Sequence, residues 1–223
     1  TVSLLPNYNL LEILTHIGHS EKVFIMKRLL LIFILTFSFQ SWAIADDISD
    51  FEIEGMSIGD NLLDHFSLGH IQNFEKEYYP ASKKFYEQYI FYPENGTFEI
   101  YDSLTISLKE NDYTIYGLAG YLKGFETFEK CLVKKDEITK NISASFKVKL
   151  RETGINKNVF DYVDNNSKKS QVEITLIDKS GLFSVECTDW SKKAEEKNNW
   201  IDNLGVSIYS KEYENFLRNE AYK

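Results

Sequence analysis

Residues 172–190 read VEITLIDKSGLFSVECTDW, two runs of alternating apolar and polar residues joined by a turn-forming tetrapeptide. The first run, Val172 to Ile177, and the second, Leu182 to Trp190, have the period of two that is typical of strands with one buried face. Asp178-Lys179-Ser180-Gly181 between them is rich in residues that favour turns. This stretch therefore predicts an antiparallel β-hairpin whose second strand places Cys187 on the buried face.

Strand patterns recur on both sides of this hairpin. Before it, Phe85 to Tyr92, Phe98 to Leu108 and Tyr113 to Leu122 form a predicted meander, and an Asn-Gly turn signal separates the first two strands. After it, Leu204 to Tyr209 has the pattern of a further strand. Consecutive strands with short connections predict an antiparallel sheet.

One long helical pattern lies between the meander and the hairpin. From Glu126 to Phe146 apolar residues recur at helical spacing and place Cys131 on the buried stripe. Strand runs interrupted by single helices are typical of the α+β class. We expect an antiparallel sheet of about six strands packed against one long helix, with short helices at the N- and C-terminal ends.

The chain has two cysteines, Cys131 and Cys187. Both are predicted to point into the same core, and paired thiols in an oxidising compartment usually form a disulfide. A redox-active pair is the alternative, but the Cys-x-x-Cys spacing of such pairs is missing. The sequence therefore favours a structural disulfide between these two residues.

A basic and then apolar segment near the start has the pattern of a secretory signal peptide. Met26-Lys27-Arg28 precedes an apolar run from Leu29 to Phe39, and Ala43-Ile44-Ala45 supplies a small-x-small cleavage site. An uncleaved membrane anchor is the alternative, which is disfavoured because a spanning helix needs about 20 apolar residues. The expected division is upstream translated sequence at 1–25, a signal peptide at 26–45 and a single α+β domain at 46–223.

Export and charge together limit the partners that we expect. No cysteine follows the apolar run to accept a lipid, so cleavage predicts a periplasmic or secreted protein of a Gram-negative bacterium, with no membrane contact afterwards. The chain carries 25 Lys and Arg against 34 Asp and Glu, a net charge of −9. This excess of acidic residues disfavours nucleic acid as a partner, because phosphates must be met by basic side chains.

The sequence lacks a recognisable catalytic or cofactor motif. It contains no P-loop, dinucleotide fingerprint or Gly-x-Ser-x-Gly elbow, so we expect no cofactor and no catalytic residue. His65 and His70 are five residues apart, off the helical spacing that metal-binding pairs use, so we expect no metal site. Asp60, Asp64 and His65 form the polar face of a predicted helix, and they are also the one candidate acid/base group.

A surplus of tyrosine and tryptophan on predicted strands and strand ends is the main hint of binding. Their rings offer apolar area and a polar group, which suits contact with sugars, peptides or proteins. Packing across strands is the alternative explanation. The candidate ligand-binding residues are Tyr101, Tyr116, Trp190 and Trp200.

Three segments carry a resemblance to a known family. They are residues 51–64, Tyr79-Pro80 with Lys83-Lys84-Phe85, and Cys187-x-Asp189-Trp190-Ser191. Together they resemble an uncharacterised family of small exported proteins from marine alphaproteobacteria, over the whole mature chain, and this resemblance implies export but no activity. Gly55-Met56-Ser57 also resembles the start of small outer-membrane assembly lipoproteins, from which the chain departs because it lacks their lipid-accepting cysteine.

Taken together, these patterns favour a non-catalytic periplasmic domain that binds an unknown protein, peptide or small ligand through an aromatic-bearing face of the sheet. The alternative function is a small periplasmic hydrolase with an atypical Asp/His site.

Overall fold

The computed structural model describes residues 47–156 and 166–223, which belong to one compact unit. The upstream residues 1–25 and the predicted signal peptide at 26–45 lie outside the described residues.

Eight strands form one antiparallel sheet. In chain order they are β1 (Lys76–Tyr79), β2 (Ser82–Ile90), β3 (Ser103–Lys109), β4 (Asp112–Lys123), β5 (Val148–Asn156), β6 (Lys168–Leu176), β7 (Gly181–Asp189) and β8 (Asn203–Ser210). Their order across the sheet is β1-β2-β3-β4-β8-β7-β6-β5. The sheet thus consists of two four-stranded meanders that meet where β4 pairs with β8.

In the part of the chain that the structure describes, four α-helices accompany the sheet. They are α1 (Leu68–Ile71), α2 (Phe128–Ser145), α3 (Lys192–Asn198) and α4 (Lys211–Asn219). Each follows a Ser or Thr whose side chain accepts a hydrogen bond from a backbone N–H group of the first turn, which fixes where the helix begins. Two short 3₁₀ turns, Ile48–Asp50 and Leu62–Asp64, precede α1.

One face of the sheet carries the main core. Helix α2 packs mainly on β7, and also on β6 and β8. The N-terminal segment covers the other meander, where Gln88 Nε2 on β2 donates to the carbonyls of Ile71 and Phe74 at 2.6 and 3.0 Å. The predicted disulfide is present between Cys131 on α2 and Cys187 on β7, whose Cα atoms are 5.9 Å apart.

The opposite face of the sheet is covered in part by α4. A second apolar cluster forms there from Tyr79, Phe85, Tyr213, Phe216 and Ala221. Gly117 on β4 allows this close approach, because a Cβ atom at that position would lie 2.7 Å from a ring carbon of Tyr213. The sheet therefore has packed side chains on both faces.

The α+β class is confirmed, but two details of the predicted architecture are corrected. The sheet has eight strands and not six, because β5 is almost entirely exposed and β1 has only four residues, so neither shows the alternation that marks a strand in the sequence. The single long helix behind the sheet is also wrong, since the helical residues are divided among four α-helices on two faces and α2 covers only one meander. Among residues 47–156 and 166–223, no helix combines the length and apolar character required to cross a bilayer.

Candidate functional site

The four predicted binding residues do not gather at one place. Tyr101 packs against the main core, and its ring covers Gly120, where a Cβ atom would lie 2.5 Å from Tyr101 Cδ1. Burial, with a smaller effect of the Glu54 carboxylate, raises the pKa of Tyr101 to about 12. This environment is that of a packing residue.

Tyr116 lies on the opposite face, beside the second apolar cluster. Its ring contacts Phe85 with the centroids 5.2 Å apart, and Lys109 Nζ lies 4.1 Å from its centroid. Its hydroxyl donates to Asp112 Oδ2 at 2.8 Å. Each polar and apolar part of this side chain thus has a neighbour within the fold.

Trp190 and Trp200 do come together, with their ring centroids 4.3 Å apart. The backbone N–H of Trp190 donates to Asp202 Oδ1 at 2.6 Å, and burial raises the pKa of Asp202. A cavity of about 10 Å³ lies on another side of Asp202, beside Cys131, and does not include either tryptophan. The two tryptophans thus contact each other in the connection between β7 and β8.

The candidate acid/base group is assembled only in part. His65 Nε2 lies 3.4 Å from Asp60 Oδ2, while Asp60 also accepts the backbone N–H of Ser57 at 2.8 Å. The Ser57 hydroxyl donates to the carbonyl of Phe51, and no hydroxyl in the described part of the chain is hydrogen-bonded to His65. A hydrolytic triad needs such a hydroxyl, so this pair lacks a nucleophile.

A buried Ser/Lys pair lies beneath α2. Lys135 Nζ donates to Ser170 Oγ at 3.1 Å, and both residues are 2% exposed. The same amino group lies 3.3 Å from Glu152 and 3.5 Å from Asp136. Through these contacts Lys135 links α2 to strands β5 and β6, which explains why the side chain is buried.

A further cluster of polar groups lies on the sheet face beside α4. We call it the tyrosine face and define it by Tyr79, Tyr89, Tyr121, Tyr209 and Tyr213 with the carboxylates of Glu87 and Glu186. Strand register brings these residues together: Tyr121 pairs with Gly205, and a Cβ atom at Gly205 would contact both Tyr121 and Glu186.

Glu87 on β2 is the centre of this cluster. The hydroxyl oxygens of Tyr79, Tyr213 and Tyr89 lie 2.5, 2.9 and 3.1 Å from its carboxylate oxygens. The hydroxyls of Tyr79 and Tyr213 are also in contact with each other, and because each has one hydrogen, one of them donates to Glu87 while the other donates to its neighbour. Three phenols from β1, β2 and α4 are thereby oriented around one half-buried carboxylate.

Burial is the first cause that raises the pKa of all five tyrosines on this face. The negative charge of Glu87 raises the pKa of Tyr79, Tyr89 and Tyr213 further. The phenols therefore stay neutral at physiological pH, where they can donate one hydrogen bond and accept others.

A row of small side chains crosses the middle of the tyrosine face. Thr105 on β3 pairs with Ala119, which pairs with Ser207, which pairs with Ser184 on β7. Thr105 is 5% exposed, and its hydroxyl lies beside that of Tyr121, with which it interacts. The row therefore keeps small side chains between the tyrosines of this face.

A groove of about 310 Å³ continues the tyrosine face between α4 and strands β6 and β7. Within it Lys169 Nζ lies 2.5 Å from Glu186, and Gln171 Nε2 donates to Ser184 Oγ at 2.8 Å. Its lining is formed by Lys169, Gln171, Glu173, Leu182, Ser184, Glu186, Tyr209, Glu214, Leu217 and Arg218. The groove has the size of a site for a small organic molecule.

Sequence reasoning missed this cluster as a site, although one signal was available. In Phe85-Tyr86-Glu87-Gln88-Tyr89 the strand period puts Glu87 and Tyr89 on the same face. Tyr213 is 126 positions away from Glu87 along the chain, so no local pattern links the two.

Comparisons with family models, with characterised proteins and with solved structures find no match for this chain. Within residues 47–156 and 166–223, no group of three or more His, Cys, Asp or Glu side chains is arranged to hold a metal ion.

Proposed function

We propose that this protein is an exported, non-catalytic binding domain that takes a small polar ligand on the tyrosine face. The observation that carries the proposal is the groove of about 310 Å³ that continues this face, which is lined by Tyr209, Ser184 and the paired charges of Lys169 and Glu186. A small polar ligand that fills this groove can exchange hydrogen bonds with these side chains.

The chemistry of the walls supports binding and gives no support to catalysis. Tyr89, Tyr121 and Tyr209 are half-buried, so they offer both ring surface and a neutral hydroxyl. Glu87 and Glu186 already accept hydrogen bonds or pair with a lysine, and the described residues place no activated nucleophile beside them. Such a surface recognises a ligand by hydrogen bonds and stacking.

The cellular location belongs to the same proposal. The Cys131–Cys187 disulfide is compatible with an exported protein, because disulfides persist in oxidising compartments. We propose that the protein is released into the periplasm after cleavage of the leader before Asp46, as in the exported family that the sequence resembles.

Saturation-transfer NMR with a defined panel tests the binding proposal. The probes are glucose, putrescine, glutamate and the dipeptide alanyl-alanine. At least one of them should show transfer from the protein, and Tyr121→Phe or Tyr209→Phe should reduce it, because each variant removes one hydroxyl from the tyrosine face. Tyr113→Phe is the matched control, since Tyr113 packs against the main core on the other face.

The proposal fails if none of the four probes shows transfer. It also fails if Tyr113→Phe reduces transfer as much as the two variants on the tyrosine face do, because the bound surface would then be a different one.

A further inference from the structure

The charged side chains of the groove between α4 and strands β6 and β7 deepen the proposed function, on which this inference rests. Lys169 Nζ lies 2.5 Å from a carboxylate oxygen of Glu186, and each side chain is 20% exposed. The guanidinium group of Arg218 lies 2.9 Å from Glu214 and 3.6 Å from Glu173. Among the described residues, every charged side chain that lines the groove is thus paired with another that lines it.

These ion pairs disfavour a charged ligand. A cation or an anion that bound one member of a pair would leave the other member without its counter-charge. That loss is large for Lys169 and Glu186, because both side chains are mostly buried. An uncharged ligand leaves the pairs intact, and each paired carboxylate can still accept hydrogen bonds, since it has about four lone-pair sites.

An extended peptide finds no strand edge in this groove. Strand β6 lies between β5 and β7, and β7 lies between β6 and β8. The backbone N–H and C=O groups of both strands are therefore paired within the sheet, so recognition falls to the side chains.

The side chains of the groove suit a ligand with several hydroxyl groups. The Gln171 amide donates to Ser184 Oγ at 2.8 Å, and its carbonyl oxygen accepts no hydrogen bond from the described residues. A hydroxyl group both donates and accepts, so it can bond to this oxygen, to the paired carboxylates and to the guanidinium group of Arg218. Leu182 and the half-buried ring of Tyr209 also line the groove and offer apolar surface to C–H groups.

We propose that the ligand of the groove is a neutral hexose sugar. Such a sugar combines several hydroxyl groups with apolar C–H faces and carries no charge that would compete with the ion pairs. The groove volume of about 310 Å³ lies at the lower end of the range for small-molecule sites, so it suits a ligand of roughly one or two sugar rings.

An NMR titration of the isotope-labelled protein tests this assignment. The probes are glucose and two charged sugars of the same ring shape, glucosamine hydrochloride and sodium glucuronate, in slightly acidic buffer where glucosamine is protonated. Glucose should bind and shift the amide signals of β6 and β7. Both charged sugars should bind at least about tenfold more weakly, because each has to break an ion pair of the groove.

The variant Glu186→Gln gives a second test, since it removes the counter-charge of Lys169 and keeps the shape of the side chain. It should bind glucuronate at least about tenfold more tightly than the unchanged protein does, because Lys169 is then available to the carboxylate of the sugar. Glu137→Gln is the matched control: it frees Lys134 on α2, on the other side of the sheet, and should leave both affinities unchanged. If Glu186→Gln does not fold, Lys169→Gln repeats the test, because it frees Glu186 and should admit glucosamine.

Four results would overturn the assignment: no binding of glucose, glucose shifts confined to strands other than β6 and β7, a charged sugar that binds as tightly as glucose, or equal effects of Glu186→Gln and Glu137→Gln on glucuronate. If glutamate or alanyl-alanine binds through Tyr209 while glucose does not, the sugar assignment fails and the proposed function stands. If glucose, putrescine, glutamate and alanyl-alanine all fail to bind, both fail.

Discussion

Several carboxylates of this acidic chain serve as acceptors for backbone N–H groups. The two oxygens of Glu54 accept the N–H groups of Glu99, Ile100 and Tyr101 at 2.7 to 2.9 Å and so hold the loop before β3. Glu94 accepts the N–H group of Ser67 at 3.0 Å and its hydroxyl at 2.8 Å. Part of the excess of acidic residues thus serves to accept hydrogen bonds from backbone N–H groups in loops and is not evidence of a ligand.

The Glu94 contact predicts a pH-dependent contribution to stability. The hydrogen bonds from Ser67 lower the pKa of Glu94 in the folded state. As the pH falls, Glu94 of the unfolded chain is therefore protonated first, near the ordinary glutamate pKa of about 4.3. The hydrogen bonds stabilise the folded protein above that pH, and this stabilisation is lost as the pH falls through the lower pKa of the folded state. Glu94→Gln should lower the melting temperature at neutral pH, and the difference from the unchanged protein should shrink as the pH falls below about 4. A difference that stays constant between these pH values would contradict this account.

The two edge strands of the sheet, β5 and β1, have features that discourage pairing with another chain. Strand β5 is nearly all exposed, and its register shifts between Glu152 and Ile155, where Gly154 has a φ of +65°. Lys149 and Arg151 also lie on this edge, while β1 at the other edge has four residues only. Bulges, charges and shortness all discourage a sheet edge from pairing with another chain.

Removing the two positive charges from β5 should therefore promote self-association. The variant Lys149→Thr with Arg151→Thr keeps a good strand former at each position and leaves Glu152 as the one charged residue of the strand. Light scattering after size-exclusion chromatography should show dimers or larger species that the unchanged protein lacks. The variant Lys130→Gln with Lys134→Gln removes the same charge from α2 and should stay at the original mass; equal association of both variants would assign the effect to net charge alone.

In the whole molecule, the disulfide lies in the main core and the tyrosine face on the other side of the sheet. Cys131 and Cys187 are 56 positions apart, and the bond joins α2 to the second meander. A disulfide stabilises the folded protein mainly by limiting the conformations of the unfolded chain. Its loss should therefore lower the free energy of unfolding without changing binding to the tyrosine face.

The double variant Cys131→Ala with Cys187→Ala should lower the free energy of unfolding by about 4 kcal/mol, as expected for a loop of this length. Urea unfolding measures this loss. The probe that binds the tyrosine face should still bind at low temperature, where the variant remains folded. Unchanged stability would show that the bond adds no constraint, and loss of binding by the folded variant would link the two faces of the sheet.

The sequence determined the elements that have one buried face. The hairpin of residues 172–190 is present as β6 and β7, the helix around Cys131 is present as α2, and the two cysteines meet. These features follow from local periodicity and composition, which are readable along the chain. The strands β1 and β5 were missed because β5 is exposed on both sides and β1 has only four residues, so neither has a readable period.

Only the tertiary structure decided where the polar groups gather. Periodicity assigns Glu87 and Tyr89 to one face of their own strand, but it does not say that β8 lies beside β4 or that α4 returns Tyr213 to Glu87. Those neighbours follow from the way in which two meanders and a C-terminal helix bury their apolar residues together. The physical reason is that packing is a property of the whole chain, whereas the alternation of residues is a property of each strand alone.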